Sequence, residues 1–214
     1  CREPVRDLAS FKGKRVRMPG GGWARFGESI GAVGVNIPSN EIYEAFDRGT
    51  VDCTASDATH ITSGATLKDV IGAVTMLKMG PFFAACSHAY NPAFWQGLTN
   101  EQRRLLLDTT ARTQARVQIL FDQEVEGALT AAKEAGIELV EPDATLQDAY
   151  DTWAADGVGG MGKIAKEVYG IDDPEALFAS FRTYVEKWQG LLADVDRTDE
   201  DALTALLTDN LYGL

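Results

Sequence analysis

The sequence predicts an α/β fold of two lobes, with a parallel sheet and one long helix crossing both. Three observations carry this. From Lys14, strand and helix patterns follow one another as strand–helix–strand–helix–strand within about 45 residues, which implies βαβ connections. A Gly80-Pro81 break then splits an extended stretch, as a crossover between lobes would. Beyond it, one helical pattern runs from Thr99 to Gly136, roughly 55 Å at 1.5 Å per residue, more than one small lobe covers.

Each element has a local reason. "KRVRM" alternates apolar and basic residues like a half-buried strand, and "WARFGESIGA" after Gly20–Gly22 reads as a helix. "VGVNI" is a second strand. "PSNEIYEAFDRG" is a helix that Ser39 can cap, with Ile42, Ala45 and Phe46 on one face and Gly49 at its end. "TVDCT" is a third strand, and "AVTMLKMGPFFAACSHAY" reads as two extended segments. The long helix opens with a Thr99–Gln102 capping box. "IELVEPD" is a fourth strand, and helices follow residue 144, with breaks expected at Gly157–Gly162 and Asp172–Pro174.

Composition narrows the function. The 214 residues are 45% hydrophobic and 24% charged, as in a globular protein with a real core. A net charge of −12 argues against nucleic acid, whose phosphates need a basic surface. No apolar run approaches the roughly 20 residues of a membrane helix. The opening "CREPVRDLAS" lacks the apolar core of a signal peptide. Cys1, Cys53 and Cys86 lack CxxC spacing, which argues against zinc; they read as small core residues or free thiols, with one disulfide as the alternative.

In open parallel sheets, ligands sit beyond the C-terminal strand ends. Those ends are Arg17 to Gly20, Asn36 to Ser39, and Cys53 to Asp57. Arg17 is placed there to meet an anion, since a guanidinium matches two carboxylate oxygens with a planar fork. Arg15 shares its strand face and reads as the solvent-facing one of the two. Gly20–Gly22 could cradle an anion on backbone amides, but no P-loop or GxGxxG pattern follows. Trp23 reads equally as core or pocket wall, and Phe82 or Phe83 as an apolar pocket floor. "SDATH" suggests an enzyme with Ser56 as nucleophile and His60 as base. No GxSxG elbow supports it, and Asp57 with His60 fits a solvated helix start better.

Several motifs occur in order: "DLASFKGKRVRMPG", "GVNIPSNEIYEAFDRGTVDC", "GPFF", "NPAFWQGLTNEQRRLLLDTTART" and "KEAGIELVEP". Over about residues 5–145 the chain resembles the DctP-type extracytoplasmic solute-binding proteins of TRAP transporters. The resemblance implies a periplasmic binding protein whose two α/β lobes close on a small organic acid, which is then handed to a membrane permease. It implies no catalysis and no cofactor; a sodium ion beside the carboxylate is known in part of the family, but no ligand cluster in this sequence demands one, and no metal is expected. Arg17 holds the position of the family's carboxylate-binding arginine, and the family's later polar contact falls at Ser56 or Asp57. Ser39, Trp23, Phe82 and Phe83 complete the expected binding set. Nothing like the family's first half-lobe precedes Cys1, so the N-terminal part of one lobe is expected to lie outside this chain, which is expected to be one piece of a longer polypeptide or one fragment held by another. One lobe is expected at residues 1–81 with 122–145. The second takes 82–121 with 146–214, and its C-terminal helices could form a homodimer. The competing reading is a sensor module or an enzyme on the same two-lobed scaffold. Turnover of a bound acid would distinguish the enzyme.

Overall fold

A computed structural model of the protein describes residues 1–80 and 88–212. In chain order its elements are α1 (Leu8–Phe11), β1 (Arg15–Arg17), α2 (Gly21–Ser29), β2 (Val33–Val35), α3 (Ile42–Asp47), β3 (Cys53–Thr54) and β4 (Ala73–Thr75). There follow α4 (Pro92–Gly97), α5 (Asn100–Glu134), β5 (Glu138–Val140), α6 (Ala144–Glu167), α7 (Pro174–Leu192) and α8 (Glu200–Asn210). The residues cluster into two units, one of Cys1–Gly80 with Glu124–Lys163 and one of Pro81–Gln123 with Ile164–Leu214.

The first unit holds both sheets. β1 lies between β2 and β3 and is parallel to both; β4 and β5 form a separate parallel pair. The centre of β1 explains its position: Val16 is 2% exposed and packs with Val5, Phe11, Met18, Cys53 and Leu146. Alternation then puts Arg15 and Arg17 together on the other face. Burying an aliphatic side chain of this kind contributes about 1.5–3 kcal/mol. A second cluster around Ile42, Phe46, Val51 and Leu67 covers the face of α3 that the sequence marks as apolar.

Local details differ from the sequence reading. Gly21 and Gly22 form the first turn of α2, with Gly20 before them at φ 76°, a conformation that favours glycine. Ser39 does not cap α3. A 3-10 turn, Ser39–Glu41, intervenes after Pro38, and α3 starts without a side-chain cap. Cys1 and Cys53 form a disulfide, not free thiols. Arg2 N–H donates to the Asp52 carbonyl at 2.8 Å, which brings the first residues alongside β3.

The helix at Asn100–Glu134 has the expected start, with Thr99 N–H donating to Gln102 Oε1 at 2.9 Å and Gln102 N–H to Thr99 Oγ1 at 3.2 Å. Its 24 residues up to Gln123 fall in the second unit and the remainder in the first. The break expected at Gly157–Gly162 does not occur, because α6 runs continuously from Ala144 to Glu167. Each helical glycine costs up to about 1 kcal/mol relative to alanine, but α6 is anchored before that stretch. Leu146 is fully buried, and Phe26 meets Tyr150 edge-on at 5.1 Å and Trp153 at 5.6 Å. The same contacts place residues 146–163 with the first unit, where the sequence reading had put them in the second lobe. The break at Asp172–Pro174 is present, with Asp173 capping α7 through Ala176 N–H at 3.0 Å.

In the second unit α8 packs by charge on α5. Arg112 reaches Glu200 and Asp201 at 3.2 and 3.1 Å, and Arg116 reaches Glu200 at 3.3 Å. Tyr212 donates to Gln114 Oε1 at 2.8 Å.

Gly72, just before β4, supplies a close approach. A Cβ there would lie 2.4 Å from the Arg2 carbonyl oxygen, a backbone atom that cannot swing aside. Gly72→Ala is therefore expected to cost about 1–3 kcal/mol, the range for forced overpacking. Urea unfolding of the variant checks this, and an unchanged midpoint would show that the first residues are not held against β4.

Candidate functional site

The C-terminal ends of β1, β2 and β3 lie side by side because the three strands are parallel and in register. Arg17 ends the central strand, so its side chain can reach both neighbours. Its Nε–H donates to the Ile37 carbonyl at 3.1 Å, beyond β2, and Nη1 reaches the Ala55 carbonyl at 3.5 Å, beyond β3. These carbonyls aim the guanidinium without neutralising it. Arg17 is half-buried, burial pushes its pKa below the usual arginine range, and among the described residues no carboxylate pairs with it. A partly desolvated cation held by neutral acceptors keeps donor capacity for an anion.

The arrangement brings Ser39 and Ser56 near this cation in sequence: Ser39 is two residues past Ile37, and Ser56 follows Ala55. Ser39 is exposed, and Ser56 Oγ lies 3.3 Å from Thr54 Oγ1. Asp57 is used locally. It caps the 3-10 turn Ala58–Ile61 through Thr59 N–H at 3.0 Å, accepts from the Thr59 hydroxyl, and lies 3.5 Å from His60 Nδ1. Burial raises the Asp57 pKa, but the Thr59 hydrogen bonds and the nearby His60 outweigh that and leave it lowered. Trp23 turns elsewhere, its Nε1–H donating to the Met79 carbonyl at 3.3 Å. Phe82 and Phe83 lie outside the described residues.

Arg15 faces solvent as read from the sequence, its side chain 43% exposed, and is also forked onto Asp52, with Nε to Oδ2 at 3.0 Å and Nη2 to Oδ1 at 2.6 Å; its own backbone N–H also donates to Oδ2 at 2.8 Å. The two arginines of β1 thus divide, Arg15 satisfied by an internal carboxylate and Arg17 by carbonyls alone. Asp52 and the two carbonyl anchors were missed in the sequence. The aspartate of "VDC" could have signalled the first, whereas backbone acceptors carry no residue-type signal.

The Arg15 hydrogen bonds hold the Asp52 carboxyl down at about 2, against an ordinary 3.8. A carboxyl with a lowered folded pKa stabilises the fold above its unfolded value, and that contribution is lost as pH falls from about 4 towards 2. The side chains are 26% and 43% exposed, so solvent screening limits it to about 1 kcal/mol. Asp52→Asn is expected to lower stability by about that much at pH 7, with the gap to wild type closing near pH 2. Urea midpoints across this range check it, and a gap that stays constant would exclude the ion pair as its source.

Among the described residues no group of three or more His, Cys, Asp or Glu side chains could hold a metal ion. None of the described helices is long and apolar enough to cross a membrane.

Known proteins share this fold. A TRAP periplasmic solute binding protein from Bordetella bronchiseptica, with bound (R)- and (S)-mandelate, matches with a TM-score of 0.62 at 22% identity. The match covers 86% of this chain and 58% of that one. One from Pseudomonas putida F1, with bound D-glucuronate, gives 0.62 at 20% identity over 86% and 55% of the two chains. One from Rhodoferax ferrireducens, with bound malonate, gives 0.60 at 22% identity over 75% and 51%. The chain therefore spans little more than half the length of these structures, and the likeness is one of fold. The family model for DctP, bacterial extracellular solute-binding protein family 7, matches residues 1–154, including every strand described above. That is a family of binding proteins, not of enzymes. With the parallel strands, the long helix and most of its length in common with it, the chain belongs to the DctP family of bacterial extracellular solute-binding proteins.

Proposed function

We propose that the protein is the solute-binding component of a TRAP transporter, working in the periplasm. It holds a small organic acid by its carboxylate and passes it to the membrane permease. The observation that carries this is Arg17: a half-buried guanidinium at the sheet's ligand-side edge, oriented by the Ile37 and Ala55 carbonyls and unneutralised by any described carboxylate. Mandelate, glucuronate and malonate, named with the similar structures, all present a carboxylate. Ser56 is the nearer polar contact, because Asp57 is committed to its own turn and its charge would repel an acid. Ser39 is proposed as a further polar contact at this edge, and Trp23, Phe82 and Phe83 as apolar pocket walls, although the Trp23 indole N–H is turned to the Met79 carbonyl. Leu177, Phe181 and Tyr184 leave an apolar stripe on α7, 50–64% exposed, which supports a homodimer through the C-terminal helices.

A thermal-shift screen of organic acids on the complete polypeptide tests the function. At a hundredfold excess over Kd, a solute stabilises by about 2.7 kcal/mol, which is roughly 5–10 °C for a protein of this size. One class of carboxylate is expected to give such a shift and to be recovered unchanged. Chemical conversion of that acid, or no shift with any carboxylate, would overturn the reading.

A further inference from the structure

Arg17 is held from two sides, and the two holds differ in kind. On the β3 side the hold belongs to the sheet. Thr54 is the strand partner of Arg17, Ala55 N–H donates to Arg17 O at 2.8 Å, and Ala55 O accepts from Arg17 Nη1 at 3.5 Å. On the β2 side the ladder has already ended. Val35 is its last paired residue, and Ile37 stands two residues further on, outside any helix or strand. The shorter bond to the guanidinium, Nε–H to Ile37 O at 3.1 Å, therefore rests on a carbonyl that no strand pairing orients.

The next residue supplies the missing constraint. A proline ring clashes with a helical residue before it, so Pro38 keeps Ile37 extended. Pro38 is itself extended, at φ −64° and ψ 154°, and only after it does the 3-10 turn Ser39–Glu41 begin, with Glu41 N–H donating to Pro38 O at 3.1 Å. Were Ile37 free to turn helical, that turn could grow backwards and swing the Ile37 carbonyl off the arginine. The Ile37 side chain packs on the cluster of Ile42, Phe46 and Val51, which holds the residue in place but not its carbonyl direction. Pro38 is exposed, so core packing gives no reason for a proline there.

We infer that Pro38 is a positioning residue for the carboxylate site: it holds Ile37 O on Arg17 Nε and so fixes which edge of the guanidinium meets the solute. Of the five N–H groups of a guanidinium, one on Nε and one on Nη1 are spent, which leaves one on Nη1 and two on Nη2. The carboxylate is therefore received end-on, across Nη1 and Nη2, by a fork that is ordered before it arrives. The inference rests on reading Arg17 as the carboxylate anchor, but the hold on Nε can be measured with no solute present.

Nuclear magnetic resonance of the arginine Nε–H protons in the complete polypeptide, without solute, tests this. In Pro38→Ala the Arg17 Nε–H is expected to exchange with water at least about 10-fold faster than in wild type. The Nε–H of Arg15, on the same strand but bonded to Asp52 Oδ2 at 3.0 Å, is expected to keep its rate. Equal acceleration at both would mean a general loosening of the sheet, and no acceleration at Arg17 would mean that its hold needs no proline; either overturns the proposal. Acetate then serves as the smallest carboxylate probe. Pro38→Ala is expected to weaken acetate binding by about 3- to 10-fold, the net worth of one ordinary hydrogen bond. In the Arg17→Lys background, where there is no Nε–H to hold, it is expected to change nothing, and an equal loss in both backgrounds would also overturn the proposal. No saturation of wild type by acetate would count against Arg17 as the carboxylate anchor, while the exchange contrast would still decide whether Pro38 holds it.

Discussion

Arg17→Ala is expected to weaken binding of the cognate acid by about 2–5 kcal/mol, the range for truncating one partner of a buried charge pair. That is roughly 30-fold to several thousand-fold in Kd. The loss is large because the guanidinium is already aimed and partly desolvated. Its Nε is held on Ile37 O at 3.1 Å, and burial depresses its pKa with no carboxylate among the described residues to compensate. Arg17→Lys is expected to recover only part of the affinity, since an ammonium keeps the charge but loses the fork. Arg15→Ala is the control. Its guanidinium is forked onto Asp52, so its removal is expected to cost some stability and to change affinity less than about threefold. Calorimetric titration of the three variants decides between the arginines. Unchanged binding in Arg17→Ala with loss in Arg15→Ala would move the anchor to Arg15.

Breaking the Cys1–Cys53 disulfide is expected to cost about 2–4 kcal/mol. The bridge closes a loop with a sequence separation of 52, and cross-linking a loop of that length removes much of the freedom of the unfolded chain. Cys53 is 2% exposed beside Val16, so a replacement must also avoid a buried unpaired hydroxyl. Paired replacement of Cys1 and Cys53 by alanine isolates the cross-link better than serine does. Urea unfolding with and without a thiol reductant measures it, and the wild-type midpoint should fall on reduction to that of the double variant. A midpoint insensitive to reductant would mean that the bridge does not form in solution.

Most of the elements, and the strand-end edge proposed to meet a ligand, could be read from local signals in the sequence by itself. The alternation of Lys14 to Met18 specified β1, Ile42, Ala45 and Phe46 marked the buried face of α3, and Thr99 with Gln102 announced α5. The ordered motifs from "KGKRVR" to "EAGIELVEP" pointed to the family, which the match over residues 1–154 establishes. Glycine and serine were less informative. Gly157–Gly162 stays helical because Leu146, Tyr150 and Trp153 anchor α6, and Ser39 lost its capping role to the turn after Pro38. The tertiary structure alone decided that β1 is the central strand, that Arg15 finds Asp52, and that Arg17 leans on Ile37 and Ala55. It also decided that Cys1 meets Cys53 between two strand edges. These pairings join residues 20 to 52 positions apart, and two of the acceptors are backbone carbonyls, which every residue carries alike. Periodicity can place a side chain on a face, but its partner is chosen only when distant strands are brought within hydrogen-bonding range.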